Sequence, residues 1–237
     1  MKFYTEVAHY YDEIFPVNQT QVTFFQKRLK VPPKKILDLA CGTGTLLSIL
    51  YSRGYHGLGI DLNEEMIKIA KQKGNHNCEF CVSDMLTFKE GKYDLISCIG
   101  NSLVHLIKID DIRTFLTNCK DMLKDNGTLV IQIINYNRIL KYNIKSLPII
   151  SNDAHDLTFI REYTYDKNNN LILFTTTLKV EEVTLTNSVK LYPLKSEELV
   201  MLLAETGYHN IKLYGDFHET PYDPDTSYSL VVEASGK

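Results

Sequence analysis

The stretch Ile36-Leu37-Asp38-Leu39-Ala40-Cys41-Gly42-Thr43-Gly44 limits what this chain can fold into more than any other. Apolar residues alternate into a short buried strand, and two glycines then arrive one residue apart. Leu46, Leu47, Ile49 and Leu50 follow at helical spacing. The pattern predicts a strand, a tight glycine turn and a helix start. Glycines at such a turn allow positive φ and close approach of a ligand to the backbone. The unpaired N–H groups of a helix start can meet oxygens of that ligand. A nucleotide-type cofactor site is therefore expected, and the open question is which cofactor.

The segments downstream repeat the same architecture. Gly57–Ile60 reads as a second strand ending in Asp61. Asn63 is placed to cap a helix carrying Glu64-Glu65 in its first turn and Met66, Ile67, Ile69 and Ala70 on its buried face. Cys78–Val82 reads as the third strand, Tyr93–Ile99 as the fourth and Thr128–Ile134 as the fifth. A helix over Ile109–Leu123 is expected to stop at Asp125-Asn126-Gly127. This alternation predicts an α/β fold: a Rossmann-like, mostly parallel seven-stranded sheet with helices on both faces. Ahead of it, residues 1–31 read as a helical cap. Tyr4, Val7, Tyr10, Tyr11, Ile14 and Phe15 recur at helical intervals, and Pro32-Pro33 closes the cap.

After strand five the rhythm changes to period two. Leu157–Tyr165 and Leu171–Val183 flank the turn cluster Asp166–Asn170, and a further strand runs to about Tyr192. Residues 150–193 are therefore expected to form an antiparallel β insertion. Ser196 is placed as the N-cap of a helix that Gly207 stops, and Ile211–Tyr214 and Tyr228–Glu233 complete the sheet. The whole of 1–237 reads as one domain.

Composition narrows the classes. A net charge of −3 gives no electrostatic case for nucleic acid or an anionic membrane. Five cysteines without framework spacing fit a reducing, cytoplasmic setting. Cys78-Glu79-Phe80-Cys81 has no second cysteine pair and lies in an apolar run, so buried thiols are expected there rather than a metal or redox centre. No metal-ligand set stands out, no apolar run is long enough to span a bilayer, and a monomer or homodimer is expected.

The cofactor can be narrowed from the residues. The dinucleotide fingerprint G-x-G-x-x-G has Leu47 at its third glycine, and no Gly-Lys-Ser/Thr follows Gly44. Asp61 ends the second strand about twenty residues after the turn, the position suited to a ribose diol. Asp84 follows the third strand, with Met85 beside it. The acidic residues Asp38, Asp61 and Asp84 all point to one edge of the sheet.

Leu37–Gly44 together with Gly59-Ile60-Asp61-Leu62-Asn63-Glu64-Glu65-Met66 resembles the class I S-adenosylmethionine-dependent methyltransferases. More narrowly, Gly100-Asn101-Ser102-Leu103-Val104-His105-Leu106 and the run holding Asn135-Tyr136-Asn137-Arg138-Ile139-Leu140 are similar to the glycine/sarcosine N-methyltransferase group. The resemblance implies S-adenosylmethionine as cofactor and a small-molecule acceptor taking the methyl on nitrogen or oxygen. It implies that backbone around Ala40, Gly42 and Gly44 approaches the methionine part. Asp61 would take the ribose hydroxyls, Leu62 would lie beside the adenine, and Asp84 and Met85 would frame it. Cys98 to Ser102 would leave strand four beneath the sulfonium, and Tyr11 would close over the cofactor. Asp38 and Met66 complete the candidate cofactor set. Candidate acceptor residues are Asn101, Asn135, Tyr136, Arg161 and Tyr192. His105, Asn101 and Tyr11 are the catalytic candidates. One departure stands out. The resemblance implies an arginine shortly before Tyr192-Pro193, where this chain has Lys190, a point charge in place of a bidentate fork. A protein or nucleic-acid acceptor, a non-catalytic cofactor-binding regulator and, less favoured, a nicotinamide-dependent oxidoreductase remain the alternatives.

Overall fold

The computed structural model describes residues 7–73 and 79–236. Tyr4 of the expected cap and Cys78 of the C-x-x-C lie outside the described residues. The central sheet has seven strands: β1 (Lys35–Leu39), β2 (His56–Asp61), β3 (Glu79–Val82), β4 (Tyr93–Cys98), β5 (Leu123–Ile134), β10 (His209–Tyr214) and β11 (Ser229–Ser235), in the order β10-β11-β5-β4-β1-β2-β3. Only β11 is reversed; it pairs antiparallel with both β5 and β10. The chain therefore runs outward from β1 to β3 and returns to β4 on the other side of β1. That reversal between β1 and β4 opens a crevice beyond the carboxyl ends of the strands, where open α/β sheets bind ligands.

Alternation along the strands divides the core in two. Ile36, Leu95, Val130 and Val231 face α2 (Gln19–Leu29), α3 (Thr45–Ser52) and α4 (Glu64–Lys73), and meet Phe24, Phe25, Leu47, Leu50, Ile67 and Ala70. Leu37, Leu39, Ile96, Leu129 and Ile131 face the other way. They meet Ile112, Phe115 and Leu116 of α5 (Ile109–Met122) and Leu199, Leu202 and Leu203 of α7 (Ser196–Glu205). Strands buried on both faces read as near-continuous apolar runs, as these do.

Local chemistry sets several boundaries. Asn18 forms a capping box with Gln21 at the start of α2. Asn63 Oδ1 accepts from the N–H groups of Glu65 and Met66 and so caps α4. Two expectations are corrected. Ser196 is the first residue of α7 and not its cap; its N–H donates to Asn137 Oδ1 at 2.9 Å, and Lys195 takes the cap position. Asp125-Asn126-Gly127 does not stop α5. The helix ends at Met122, buried Leu123 already pairs with Tyr93, and the turn sequence becomes a bulge inside β5 with Asn126 at φ 61°.

The second sheet is antiparallel: β6 (Ile150–Asn152), β7 (Leu157–Asp166), β8 (Leu171–Val180) and β9 (Val183–Leu191), in sequence order. Ahead of the central sheet, Ala8–Tyr10 form one 3-10 turn and α1 (Tyr11–Ile14) a single α turn. Val7 and Ile14 bury against Leu157, Phe159, Leu178 and Val180 of the second sheet. The N-terminal segment thus bridges the insertion and the crevice. A short helix α6 (Tyr136–Lys141) follows β5.

Candidate functional site

The floor of the crevice is the turn after β1. Its backbone alternates into the left-handed region at Ala40 (φ 57°), Gly42 (φ 56°) and Gly44 (φ 70°). A left-handed alanine is uncommon and costs about 1–2 kcal/mol. Gly44 has a second requirement: a Cβ there would lie 2.5 Å from Phe80. The turn is fixed by Asp61. One carboxylate oxygen accepts from Gly42 N–H at 2.9 Å, the other from Asn63 N–H at 2.9 Å. Burial raises the Asp61 pKa, and the backbone donors of Asn63, Gly42 and Leu62 oppose that rise. Beside it Leu62 is 64% exposed, an open apolar surface next to a carboxylate, as a nucleoside requires. Ser83 N–H donates to Asp61 O, which brings the end of β3 alongside. There Asp84 Oδ1 accepts from Leu86 N–H at 2.8 Å, and Met85 is half-buried. These residues fit a nucleoside-bearing cofactor.

Three candidates stand deeper than the sequence suggests. Asp38 is buried, receives a hydrogen bond from Ser97 Oγ at 2.7 Å, and burial pushes its pKa to about 7. It lies beneath the turn. Cys98 is fully buried, and desolvation holds its thiol protonated. Met66 is buried on the inner side of α4. Strand and helix periodicity turn these three side chains into the protein, so the crevice is left to the backbone around them.

The N-terminal segment covers the turn. A Cβ at Gly42 would come within 3.0 Å of the Tyr11 ring, and one at Gly100 within 3.9 Å of its hydroxyl. Tyr11 therefore stands across the crevice between the glycine turn and the loop after β4. Asp12 holds it there by accepting from Thr43 Oγ1 and Thr45 Oγ1, both at 2.7 Å, and pairing with Lys73. Burial would raise its pKa, but these partners outweigh burial and hold the carboxyl low. Asp12 was not among the candidates; an aspartate one residue past Tyr11 carries no sign that Thr43 and Thr45 will meet it.

On the acceptor side, Asn101 sits at φ 68° in the loop after β4. Its Oδ1 accepts from Ile134 N–H at 3.0 Å, and its Nδ2 donates to the Tyr136 hydroxyl at 3.0 Å. Gly100 N–H donates to Gln132 Oε1 at 2.7 Å. The ends of β4 and β5 are thereby locked together, and Asn101 and Tyr136 are brought into one cluster. His105 ends a 3-10 turn just beyond. Its edge is exposed, yet the protein around it lowers its pKa, which keeps the ring neutral.

Two candidates are committed to structure. Asn135 caps α6, its Nδ2 donates to the carbonyls of Pro224 and Ser227, and its Oδ1 receives the Tyr222 hydroxyl. Its donors and acceptors are used in stapling the 223–227 loop. Tyr192 donates its hydroxyl to Glu198 Oε1 at 2.7 Å on α7. Arg161 lies on the inner face of β7, and Nη2 donates to Pro148 O at 2.7 Å. Among the described residues no group of three or more metal-type side chains comes together, and no helix is long and apolar enough to cross a membrane.

Residues 36–127 match the family model described as a methyltransferase domain. The glycine/sarcosine N-methyltransferase of Aphanothece halophytica is 28% identical over 216 residues, 88% of this chain and 79% of that protein. An S-adenosylmethionine-dependent methyltransferase from Clostridium acetobutylicum matches with a TM-score of 0.81 at 19% identity, covering 98% of both chains. The CcbJ methyltransferase of Streptomyces caelestis matches at 0.82 and 18% identity, covering 98% of this chain and 97% of that one. Fold and sequence kinship together support a class I S-adenosylmethionine-dependent methyltransferase that resembles the glycine/sarcosine N-methyltransferase group.

Proposed function

We propose that this protein transfers the methyl group of S-adenosylmethionine to a nitrogen of a small molecule. The observation that carries the acceptor class is the covered crevice. Tyr11 lies over Gly42, while Val7 and Ile14 tie the same segment to the insertion sheet. A crevice roofed in this way suits a small acceptor better than a polymer, and the net charge of −3 gives no electrostatic support for a phosphate backbone as partner. In this reading 1–237 is one domain, with residues 1–31 as cap and 150–193 as substrate lobe.

The cofactor supplies an electrophilic methyl on a sulfonium. The chain's own work is to hold and dehydrate the reactants. Asp61 takes the ribose hydroxyls through lone pairs left by Gly42 and Asn63, while Leu62, Asp84 and Met85 receive the base. Backbone at Ala40, Gly42 and Gly44 faces the methionine part, and Tyr11 closes above it. Asn101 and Tyr136 orient the acceptor. A neutral amine needs no strong base for attack, and neutral His105 is available to take the proton that the product ammonium releases.

Isothermal titration with S-adenosylmethionine and S-adenosylhomocysteine tests the cofactor half. The expected result is saturable binding of both, and a folded protein that binds neither contradicts the reading. Turnover on a panel of primary and secondary amines tests the acceptor half. Binding without turnover across that panel would favour a regulator.

A further inference from the structure

The single α turn of the N-terminal segment carries two adjacent carboxylates that reach in different directions. Asp12 reaches the cofactor half, where it accepts from Thr43 and Thr45 and pairs with Lys73. Glu13 reaches the insertion. Its Oε2 lies 3.7 Å from Nε2 of His155, in the 3-10 turn Asp153–His155 between β6 and β7. That separation is within ion-pair reach and beyond a hydrogen bond. Glu13 Oε2 is buried and has no hydrogen-bond partner. A buried acceptor left open is costly, and the imidazole across from it can close the gap.

Both ends of the contact are held in place. α1 packs on β6, and Val7 and Ile14 bury with Ile150, Leu157 and Phe159. Asn152 Oδ1 accepts from Ala154 N–H at 3.1 Å, which fixes the turn that carries His155. The other ionisable groups around the pair set its electrostatics. Asp153 and Asp156 flank His155 in sequence, and the turn holding Glu181 and Glu182 joins them through Glu181 N–H to Asp156 O. β6 brings no ionisable residue. β7 brings Arg161, engaged by Pro148 O, and the Tyr163 phenol, which burial keeps protonated. Lys179 of β8 lies on the far face of the sheet, and Lys73 of α4 is engaged by Asp12. The segment itself adds His9, Tyr10, Tyr11 and Asp12. The acidic excess favours a cation at His155, and His9 is a second imidazole to be controlled for.

We infer that Glu13 and His155 form a proton-operated clasp that fastens the N-terminal segment to the insertion and slows cofactor exchange as pH falls. Protonation, by a proton from solvent, gives the ring a charge. It also guarantees a donor at Nε2, which a neutral ring offers in only one of its two tautomers. The open carboxylate oxygen then gains a charge-assisted partner. An imidazole that gains a partner on closing binds its proton more tightly in the closed state. The clasp is therefore fully present below the titration point of the open state and is lost as pH rises through that of the closed state, in the region of pH about 6 to 8. Tyr11 crosses the glycine turn from the same segment, so fastening the segment delays passage of the cofactor. Only that last step rests on the methyltransfer reading, since the clasp itself needs no cofactor.

Hydrogen exchange of the cofactor-free protein at pH 6 and pH 8 tests it, with rates expressed against the intrinsic rate at each pH. The amide of Phe15, which donates to Tyr11 O at 2.8 Å, reports on the segment. Its protection should be about two- to fivefold greater at pH 6 than at pH 8, the range of a partly exposed ion pair. Glu13→Gln and His155→Gln should each hold protection at the parent's pH 8 level; both side chains reach solvent, so these variants should fold. His155→Lys should keep part of the gain at pH 8, and His9→Gln should leave the parent's pH response unchanged. Release of S-adenosylhomocysteine from the parent should slow by a similar factor at pH 6, and both Gln variants at the clasp should lose that slowing. Equal protection at the two pH values in the parent overturns the clasp. So does a pH response that survives both clasp variants or disappears in His9→Gln. Release that ignores pH while protection follows it overturns the control of exchange. Failure of S-adenosylhomocysteine to bind, with the pH response of the segment intact, would count against the methyltransfer reading and leave the clasp standing.

Discussion

The cofactor edge and the acceptor side are built on opposite plans. At the cofactor edge, polar side chains from a short run of sequence bond to nearby backbone. Asp61 holds Gly42 and Asn63, and Asn63 holds the first turn of α4. On the acceptor side the groups come from far apart in the chain. Asn101 meets Ile134 and Tyr136, and Arg161 and Tyr163 arrive from the insertion with buried atoms unpaired. The first region is held by neighbours in sequence, and the second by contacts between distant segments. That difference predicts that damage to the first will cost stability and cofactor affinity together. Damage to the second should cost turnover more than cofactor affinity.

Gly44→Ala should have the largest effect. A methyl there meets Phe80 and Ala70 at a left-handed position, so conformational strain and overpacking add. The expected loss is about 2–5 kcal/mol of stability, with cofactor binding lost alongside, read by thermal melting and calorimetry. Next comes Asp61→Ala. Removing a charged acceptor of ribose hydroxyls should weaken S-adenosylmethionine binding by about 1.5–3 kcal/mol and lower the melting temperature, because two backbone donors lose their partner. Unchanged affinity in a folded variant would show that Asp61 does not hold the ribose.

Asn101→Ala sharpens the contrast from the other side. It should lower kcat/KM for the acceptor about tenfold or more while S-adenosylhomocysteine affinity moves less than about threefold. An equal loss in both would mean that Asn101 belongs to the cofactor edge.

Asp38→Asn should show its effect as a pH dependence. Its folded pKa of about 7 lies above the unfolded carboxylate value, so its contribution to stability is fully present below about pH 4 and is lost as pH rises through 7. The asparagine variant can keep a bond with Ser97 and does not ionise. It should therefore gain on the parent in melting temperature between pH 4 and 8. Parallel curves would show that Asp38 is already charged in the folded protein.

The same contrast explains what the sequence revealed. The turn at Ile36–Gly44, the cap at Asn63 and the period-two insertion are local patterns, and each is visible in a short window. The left-handed Ala40 was hidden, because alanine gives no sign of positive φ. The direction of Asp38, Cys98 and Met66 was hidden because their motif positions suggest a ligand, whereas alternation turns them inward. Asn135 looked like an acceptor residue at a strand exit. Its commitment to Tyr222 and the 223–227 loop depends on a contact nearly ninety residues away. Tyr163 was visible only as one of several aromatics on the face it shares with Arg161, since an unpaired buried hydroxyl has no sequence signal.

The most direct measurement is methyl transfer itself. The protein is incubated with S-adenosylmethionine labelled on its methyl group and with a panel of small amines, and the products are read by mass spectrometry. Label should appear on the nitrogen of an acceptor with one equivalent of S-adenosylhomocysteine formed per methyl transferred. Binding of S-adenosylhomocysteine to folded protein with no label reaching any acceptor would contradict the account.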